Sequence, residues 1–149
     1  MNSQSNKLEA KFLKRIRGRT TKYYYYDIKQ LNDKFFANLK KNVLFDNSDT
    51  ILAVIDTSLG SGKTGMIIGL NGIYFKNNSG VKSYKNFLLW EELKQIKAIG
   101  WMEHRSGDIS FGNVNQFGDT GIFSIKKDFL ISLLTDLYRI FENETITNT

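Results

Sequence analysis

The chain has no cysteine and no proline among its 149 residues, and a single histidine, His104. Without cysteine there are no disulfides and no thiolate chemistry, a composition that fits a reducing compartment. One histidine and no cysteine also leave nothing from which to build a zinc site. Missing proline, alongside abundant Asn, Lys and Ile, points to biased coding composition more than to mechanism. No stretch approaches the ~18 to 20 consecutive apolar residues of a membrane span. The segment Met1 to Lys7 lacks the apolar run of a secretory signal, so a cytoplasmic location is expected. What is present is ordinary for a globular protein: 41% hydrophobic and 24% charged residues, in a length that suits one domain with its own core.

The charge is unevenly placed. Residues 1–22 carry Lys7, Lys11, Lys14, Arg15, Arg17, Arg19 and Lys22 against Glu9 alone. From Tyr23 onward, 14 basic and 14 acidic residues cancel, so the whole formal excess of +6 sits on the N-terminal segment. A basic segment on a neutral body is therefore expected, not a basic domain.

Leu8, Phe12, Leu13 and Ile16 recur at helical spacing and predict a helix over residues 7–17, ended by Gly18 and Thr20-Thr21. Four tyrosines, Tyr23 to Tyr26, follow. A second helix is predicted from about Asp27, as N-cap, to Val43, with Ile28, Leu31, Phe35, Phe36, Leu39 and Val43 as its stripe. The period then changes. Ile51 to Ile55 reads as a buried strand, and Met66 to Phe75 as two strands around an Asn71-Gly72 turn. A polar turn at Asn77 to Gly80 leads to a short strand at Val81 to Tyr84. Trp90 to Leu93 reads as a helical turn, or the start of a helix through Ile96. Strands are predicted at Ala98 to His104, Ile109 to Gly112 and Gly121 to Ile125, with a turn at Arg105 to Asp108 and a polar loop before Gly121. Phe129, Leu130, Leu133, Leu134, Leu137, Ile140 and Phe141 mark the clearest helix, and residues 143–149 read as a frayed polar tail. These elements predict an α+β fold: a small, strongly bent antiparallel sheet or partly open barrel capped by a C-terminal helix, with an N-terminal helical extension.

The stretch Asp56-Thr57-Ser58-Leu59-Gly60-Ser61-Gly62-Lys63-Thr64-Gly65 nearly matches a phosphate-binding loop. Such a loop needs a glycine, four residues, Gly-Lys-Ser/Thr and a helix directly behind it. Thr57 stands where the first glycine belongs, and a strand pattern follows instead of a helix. Without a helix N-terminus there is no dipole and no row of free N–H groups for a phosphate. The glycines are expected to serve a wide, flexible turn between strands.

The order of elements and the wording of residues 51–76 resemble the bacterial pleckstrin-homology-like domains. The resemblance rests on Ile55-Asp56-Thr57-Ser58, on Gly65-Met66-Ile67-Ile68 with Gly72-Ile73-Tyr74-Phe75-Lys76, on Ser83-Tyr84, on Trp90-Glu91-Glu92-Leu93 before Ile96, and on a closing helix from Lys127 to Phe141. It covers about residues 45–142. It implies three parts: residues 1–44 as a basic helical extension, 45–142 as the barrel domain and 143–149 as a tail. It also implies a generally non-enzymatic binding platform, which supports a fold better than a function. The phosphoinositide-binding branch of that superfamily carries several Lys and Arg on the first hairpin, whereas this loop has Lys63 alone, with Lys76 on the next strand.

No catalytic, cofactor or metal site is expected. His104 beside Glu103 and Arg105 reads as a surface polar residue, and Ser58 and Ser61 as loop formers rather than nucleophiles. Asp56 with Glu92-Leu93-Lys94 has the residue types of a metal-dependent nuclease core, although Glu-x-Lys is frequent by chance. Trp90 and Trp101 read as core anchors. The expected function is a non-catalytic binding or adaptor module that engages a protein partner. The contact residues are Lys11, Lys14, Arg15, Arg17, Arg19, Tyr23, Tyr24, Tyr25 and Tyr26 on the arm, with Ser58, Ser61 and Lys63 on the loop. An anionic membrane surface ranks second and nucleic acid third as partner. A nucleic-acid-associated or nuclease-like protein is the alternative.

Overall fold

The computed structural model of the chain describes residues 3–77, 81, 83–98, 108–112, 115–118 and 126–147. Its first helix, α1, spans Ser3–Arg17. Phe12 and Ile16 lie on one stripe of α1 and are completely buried. A two-residue strand, β1 (Tyr24–Tyr25), follows. The helix expected from Asp27 to Val43 is two pieces. Asp27 caps only a 3-10 turn at Ile28–Gln30, accepting from the Lys29 N–H. Leu31 is extended, and Asn32 opens α2 (Asp33–Asn42) by accepting from the N–H groups of Lys34 and Phe35. An asparagine that satisfies the orphan donors of a new first turn competes with continuing the old one.

Four strands form the body's first sheet: β2 (Ile51–Asp56), β3 (Gly65–Gly69), β4 (Gly72–Lys76) and β5 (Phe87–Leu89). With β1 they make an antiparallel meander in chain order. Its register sets out two faces. Tyr25, Val54, Ile67, Tyr74 and Phe87 stand in one cross-strand row, and Tyr24, Ile55, Met66 and Phe75 belong to the neighbouring one. The first row packs with Leu31, Phe35, Leu39 and Val43 on and around α2. The second packs with Phe12 and Ile16 of α1 and with Trp90, Leu93, Ile109, Phe111, Phe117, Leu130, Leu133, Leu134 and Leu137. Both faces are covered, so β2 and β3 read as continuous apolar runs instead of alternating ones.

A second antiparallel sheet holds β6 (Ile96–Ala98), β7 (Ile109–Phe111) and β8 (Asn115–Phe117), in that order. The two sheets do not close into a barrel. Asn77, just past β4, links them: its amide N–H donates to the Gln116 carbonyl at 2.6 Å, and its Oδ1 accepts from the Gly118 N–H at 3.0 Å. One side-chain amide therefore stands where a closed barrel would run a backbone ladder. Phe75 meets the rings of Phe111 and Phe117 across the gap. The last helix, α3 (Lys127–Thr147), buries Leu130, Leu133, Leu134 and Leu137 in the same core.

The α+β class, the antiparallel sheets and the C-terminal helix match the expectation, and other parts differ from it. Residues 1–44 pack against the body, with α1 and β1 in the shared core and α2 over one face of the sheet. The described residues Val81, Ser83 and Tyr84 are not strand; the strand is β5, with Tyr84 exposed. No helix runs on to Ile96, because a 3-10 turn at Trp90–Glu92 ends at Leu93 and Ile96 opens β6. The polar stretch before Gly121 contains β8. The Asn71-Gly72 turn lies one residue earlier, at Leu70-Asn71, with Gly72 already in β4. A Cβ on Gly72 would run into the Leu88 carbonyl, so close approach of β5 is what requires the glycine there. Residues 143–147 continue α3, and Glu144 is only 4% exposed. Most of the strand expected at Ala98 to His104, the turn before Asp108 and the strand at Gly121 to Ile125 lie outside the described residues.

Candidate binding surface on the first helix

One side of α1 is sealed by Phe12 and Ile16, and its basic residues turn toward α3 and solvent. The two helices run antiparallel, as their ion pairs show. Lys7 and Lys11 reach Glu144, while Arg15 and Arg19 reach Asp136. The Lys11 hydrogen bond holds the Glu144 carboxyl below the usual glutamate range, against the opposing effect of burial. The acidic partners are largely covered, whereas the cations keep part of their side chains in solvent, which screens the attraction. Full burial of Phe12 and Ile16, at about 1.5–3 kcal/mol each, does more to hold α1 in place.

Asp136 organises both arginines. Its Oδ2 accepts from Arg15 Nε at 3.0 Å, from Arg15 Nη2 and from Arg19 Nη2, and Arg19 Nη1 donates to the Ser132 hydroxyl at 2.6 Å. Two guanidinium planes are thereby fixed before any ligand arrives, with donors to spare. Beside them Lys14, Arg17 and Lys22 make no ion pair with any described residue. Lys11, Lys14, Arg15, Gly18, Arg19 and Ile140 line a hollow of about 400 Å³. The lining thus sets ammonium and guanidinium donors beside one aliphatic side chain, Ile140.

The tyrosines do not act as a unit. Tyr24 is buried, its hydroxyl donates to the Ile16 carbonyl at 2.7 Å, and its ring meets Phe129 edge-on at 5.1 Å. Burial pushes its hydroxyl pKa well up. Tyr24 therefore ties α1 to β1 and α3, and its side chain is spent on the core. Tyr25 packs on the α2 side of the sheet. Tyr26 is exposed and Tyr23 half-buried.

The loop between β2 and β3 is braced where a slack turn was expected. Asp56 Oδ1 accepts from the Ser58 N–H and hydroxyl, and Oδ2 from the Gly60 N–H at 2.8 Å. Ser58 Oγ in turn accepts from the Gly62 N–H, and Ser61 Oγ donates to the Ser58 carbonyl. Asn38 and Asn42 of α2 donate to the carbonyls of Ser61 and Gly62. Gly62 has φ +77°, and a Cβ there would lie 2.6 Å from the Phe35 carbonyl oxygen. The amides that would cradle a phosphate are held by the chain's own carboxylate, and β3 follows in place of a helix. Ser58 and Ser61 spend their hydroxyls on the loop itself, and of the three loop candidates Ser61 and Lys63 are exposed while Ser58 is half-buried.

Asp56 and Glu92 are each committed inside their own turn. Glu92 accepts from Lys85 Nζ at 2.7 Å and from the Leu89 N–H at 2.9 Å, and the Lys85 contact holds its carboxyl low. Among the described residues no group of three or more His, Asp or Glu is placed to hold a metal ion. Nor is any described helix long and apolar enough to cross a membrane. Trp90 is buried, as expected of a core anchor, whereas His104 and Trp101 lie outside the described residues. Sequence reasoning missed Ser132, Asp136 and Glu144. A signal existed: Lys7, Lys11 and Arg15 recur every four residues, and Asp136 and Glu144 stand eight apart on the other helix. Comparison with protein-family models, with curated proteins and with solved structures finds no match for this chain.

Proposed function

We propose that this protein is a non-catalytic binding module whose basic α1 surface engages an acidic segment of a protein partner. The observation that carries the reading is the pair of guanidiniums fixed by Asp136 beside Lys14, which makes no ion pair with any described residue. Receptor groups already held in position lose little freedom on binding, so they favour a specific contact over diffuse attraction. A polyanion would need more: duplex binding typically engages some 6–10 phosphates. Among the described residues, four of the segment's seven basic side chains already hold ion pairs, and Lys14, Arg17 and Lys22 hold none. A membrane surface would need apolar side chains beside the cations, and the apolar face of α1 is spent on the core. A pleckstrin-homology-like kinship belongs to the same proposal. It is supported by the meander, the second antiparallel sheet and the closing helix, with α1, β1 and α2 as additions. A cytoplasmic setting fits the lack of cysteine.

A labelled Asp/Glu-rich peptide, titrated by fluorescence anisotropy beside phosphatidylserine vesicles and duplex DNA, tests this. The peptide should bind best, and Lys14→Glu with Arg17→Glu should weaken it roughly tenfold or more while leaving the melting temperature unchanged. Preference for DNA or vesicles, or no effect of the double variant, would sink the reading.

A further inference from the structure

We infer that a second hollow, bounded by the N-terminal half of α1, the β3–β4 hairpin, β5 and the C-terminal half of α3, is a binding site for a small organic cation with an apolar body. The hollow has a volume of about 400 Å³, within the range of roughly 300–1,000 Å³ typical of small-molecule sites. It is distinct from the basic surface, and the inference does not rest on the function proposed above.

Three features define the ligand. Four aromatic residues line the hollow: Phe87 and Phe141, which are half-buried, and Tyr74 and Trp90, which are only 3% and 1% exposed. These rings are fixed by one another and by the core, since Tyr74 stacks on Phe87 at 4.4 Å and Trp90 meets Phe12 at 5.1 Å. Their polar tips are already used. The Tyr74 hydroxyl donates to Asp49, and the Trp90 indole N–H donates to the Leu70 carbonyl at 3.0 Å. Beside the rings, the lining offers aliphatic surface from Leu8, Leu70 and Leu89 and the polar side chains of Ser5 and Asn71.

The ionisable side chains on the lining, other than the Tyr74 phenol, are Asp46 and Glu91, both acidic. This occurs on a protein whose formal net charge is +6. Asp46 is kept ionised by the Ser48 N–H and hydroxyl, which hold its carboxyl low. Rigid aromatic walls with carboxylates at the edge attract a weakly hydrated cation, such as a quaternary or methylated ammonium, through cation–π and Coulomb terms together. An anionic ligand would meet two like charges, and a neutral one would forgo both terms.

Amide and indole NMR spectra of the full chain, following Trp90 Nε1–H and the Phe87 N–H, test the site with four small molecules and a lysine-rich peptide. Benzyltrimethylammonium should bind more tightly than tetramethylammonium, because it adds an apolar body. Choline should bind more tightly than 3,3-dimethylbutanol, its neutral carbon isostere. Asp46→Asn together with Glu91→Gln should weaken the cations roughly threefold to tenfold without weakening the isostere. Both side chains are exposed, and the spectrum itself reports whether the variant is folded. Leu89→Arg, on the rim, should abolish binding. Equal affinity for choline and its isostere would overturn the assignment. So would an unaffected double variant, or no shift at Trp90 and Phe87 with any probe. Binding of a lysine-rich peptide but of none of the small cations would also overturn it and mark the hollow as a protein contact.

Discussion

The Asp49 carboxylate accepts the Tyr74 hydroxyl at 2.8 Å, with the two residues only 8% and 3% exposed. Asp49 also accepts from the N–H groups of Thr50 and Asn71, so one carboxylate fixes the approach to β2 and the turn between β3 and β4. Gly69 leaves the room, since a Cβ there would lie 2.5 Å from Asp49 Oδ2. Asp49→Ala strands three donors and should cost about 2–3 kcal/mol, whereas Tyr74→Phe should cost about 1–2 kcal/mol. Urea denaturation of both single variants and the double variant checks this. The double should lose less than the sum, because the same bond is removed twice.

Tyr24 and Tyr74 both have hydroxyl pKa values raised in the folded state, chiefly by burial, and for Tyr74 also by its bond to Asp49. A raised folded pKa means that the native state holds its proton more tightly than the unfolded chain does. That stability is fully present below the ordinary tyrosine value of about 10 and is lost as pH rises beyond it. The urea midpoint should therefore fall steeply above pH ~10, and ultraviolet titration should show two tyrosines ionising only as the protein unfolds. In Tyr74→Phe the alkaline fall should be shallower.

Leu44 occupies the position after α2 where glycine is usual. Its φ is +56°, the Phe45 N–H returns to the Lys40 carbonyl, and the Leu44 N–H returns to that of Lys41. Its side chain is 80% exposed, so little packing offsets the strain. Leu44→Gly should raise stability by about 0.5–1 kcal/mol: removal of the left-handed penalty exceeds the added freedom of the unfolded chain. A higher melting temperature in calorimetry is the expected readout.

In the β2–β3 loop, Asp56→Ala should cost about 2–3 kcal/mol, because the Ser58 and Gly60 amides lose their acceptor. Asp56→Asn retains one oxygen and should recover part of that loss. Adding Mg-ATP to the unaltered protein should leave its melting temperature unmoved, since those amides are already occupied. A clear upward shift would reinstate the phosphate cradle.

How far such features were legible differs by element. Buried strands β2 to β4 and the stripe of α3 declare themselves because burial repeats at a fixed period over many residues. The break at Leu31-Asn32 was hidden, since the apolar stripe runs through it and one asparagine cap decides the outcome. β5, β6 and β8 are three residues each, too short for a period to register. The basic character of α1 was plain, but its partners Asp136 and Glu144 lie more than a hundred residues away. Which cations stay free is thus a tertiary fact. Tyr24 and Tyr25 are neighbours with opposite fates, set by the alternation of a strand only two residues long.

The contact between Lys11 and Glu144 spans 133 residues of chain. During translation, at roughly 5–20 residues per second, α1 leaves the ribosome many seconds before the helix against which it must lie. Phe12 and Ile16 stay without their final cover through all of that time. The α2 side of the meander, built from neighbours in sequence, can settle first, while the other side waits for the last helix. Until α3 is complete, the apolar surface of Phe12 and Ile16 therefore lacks part of its native cover.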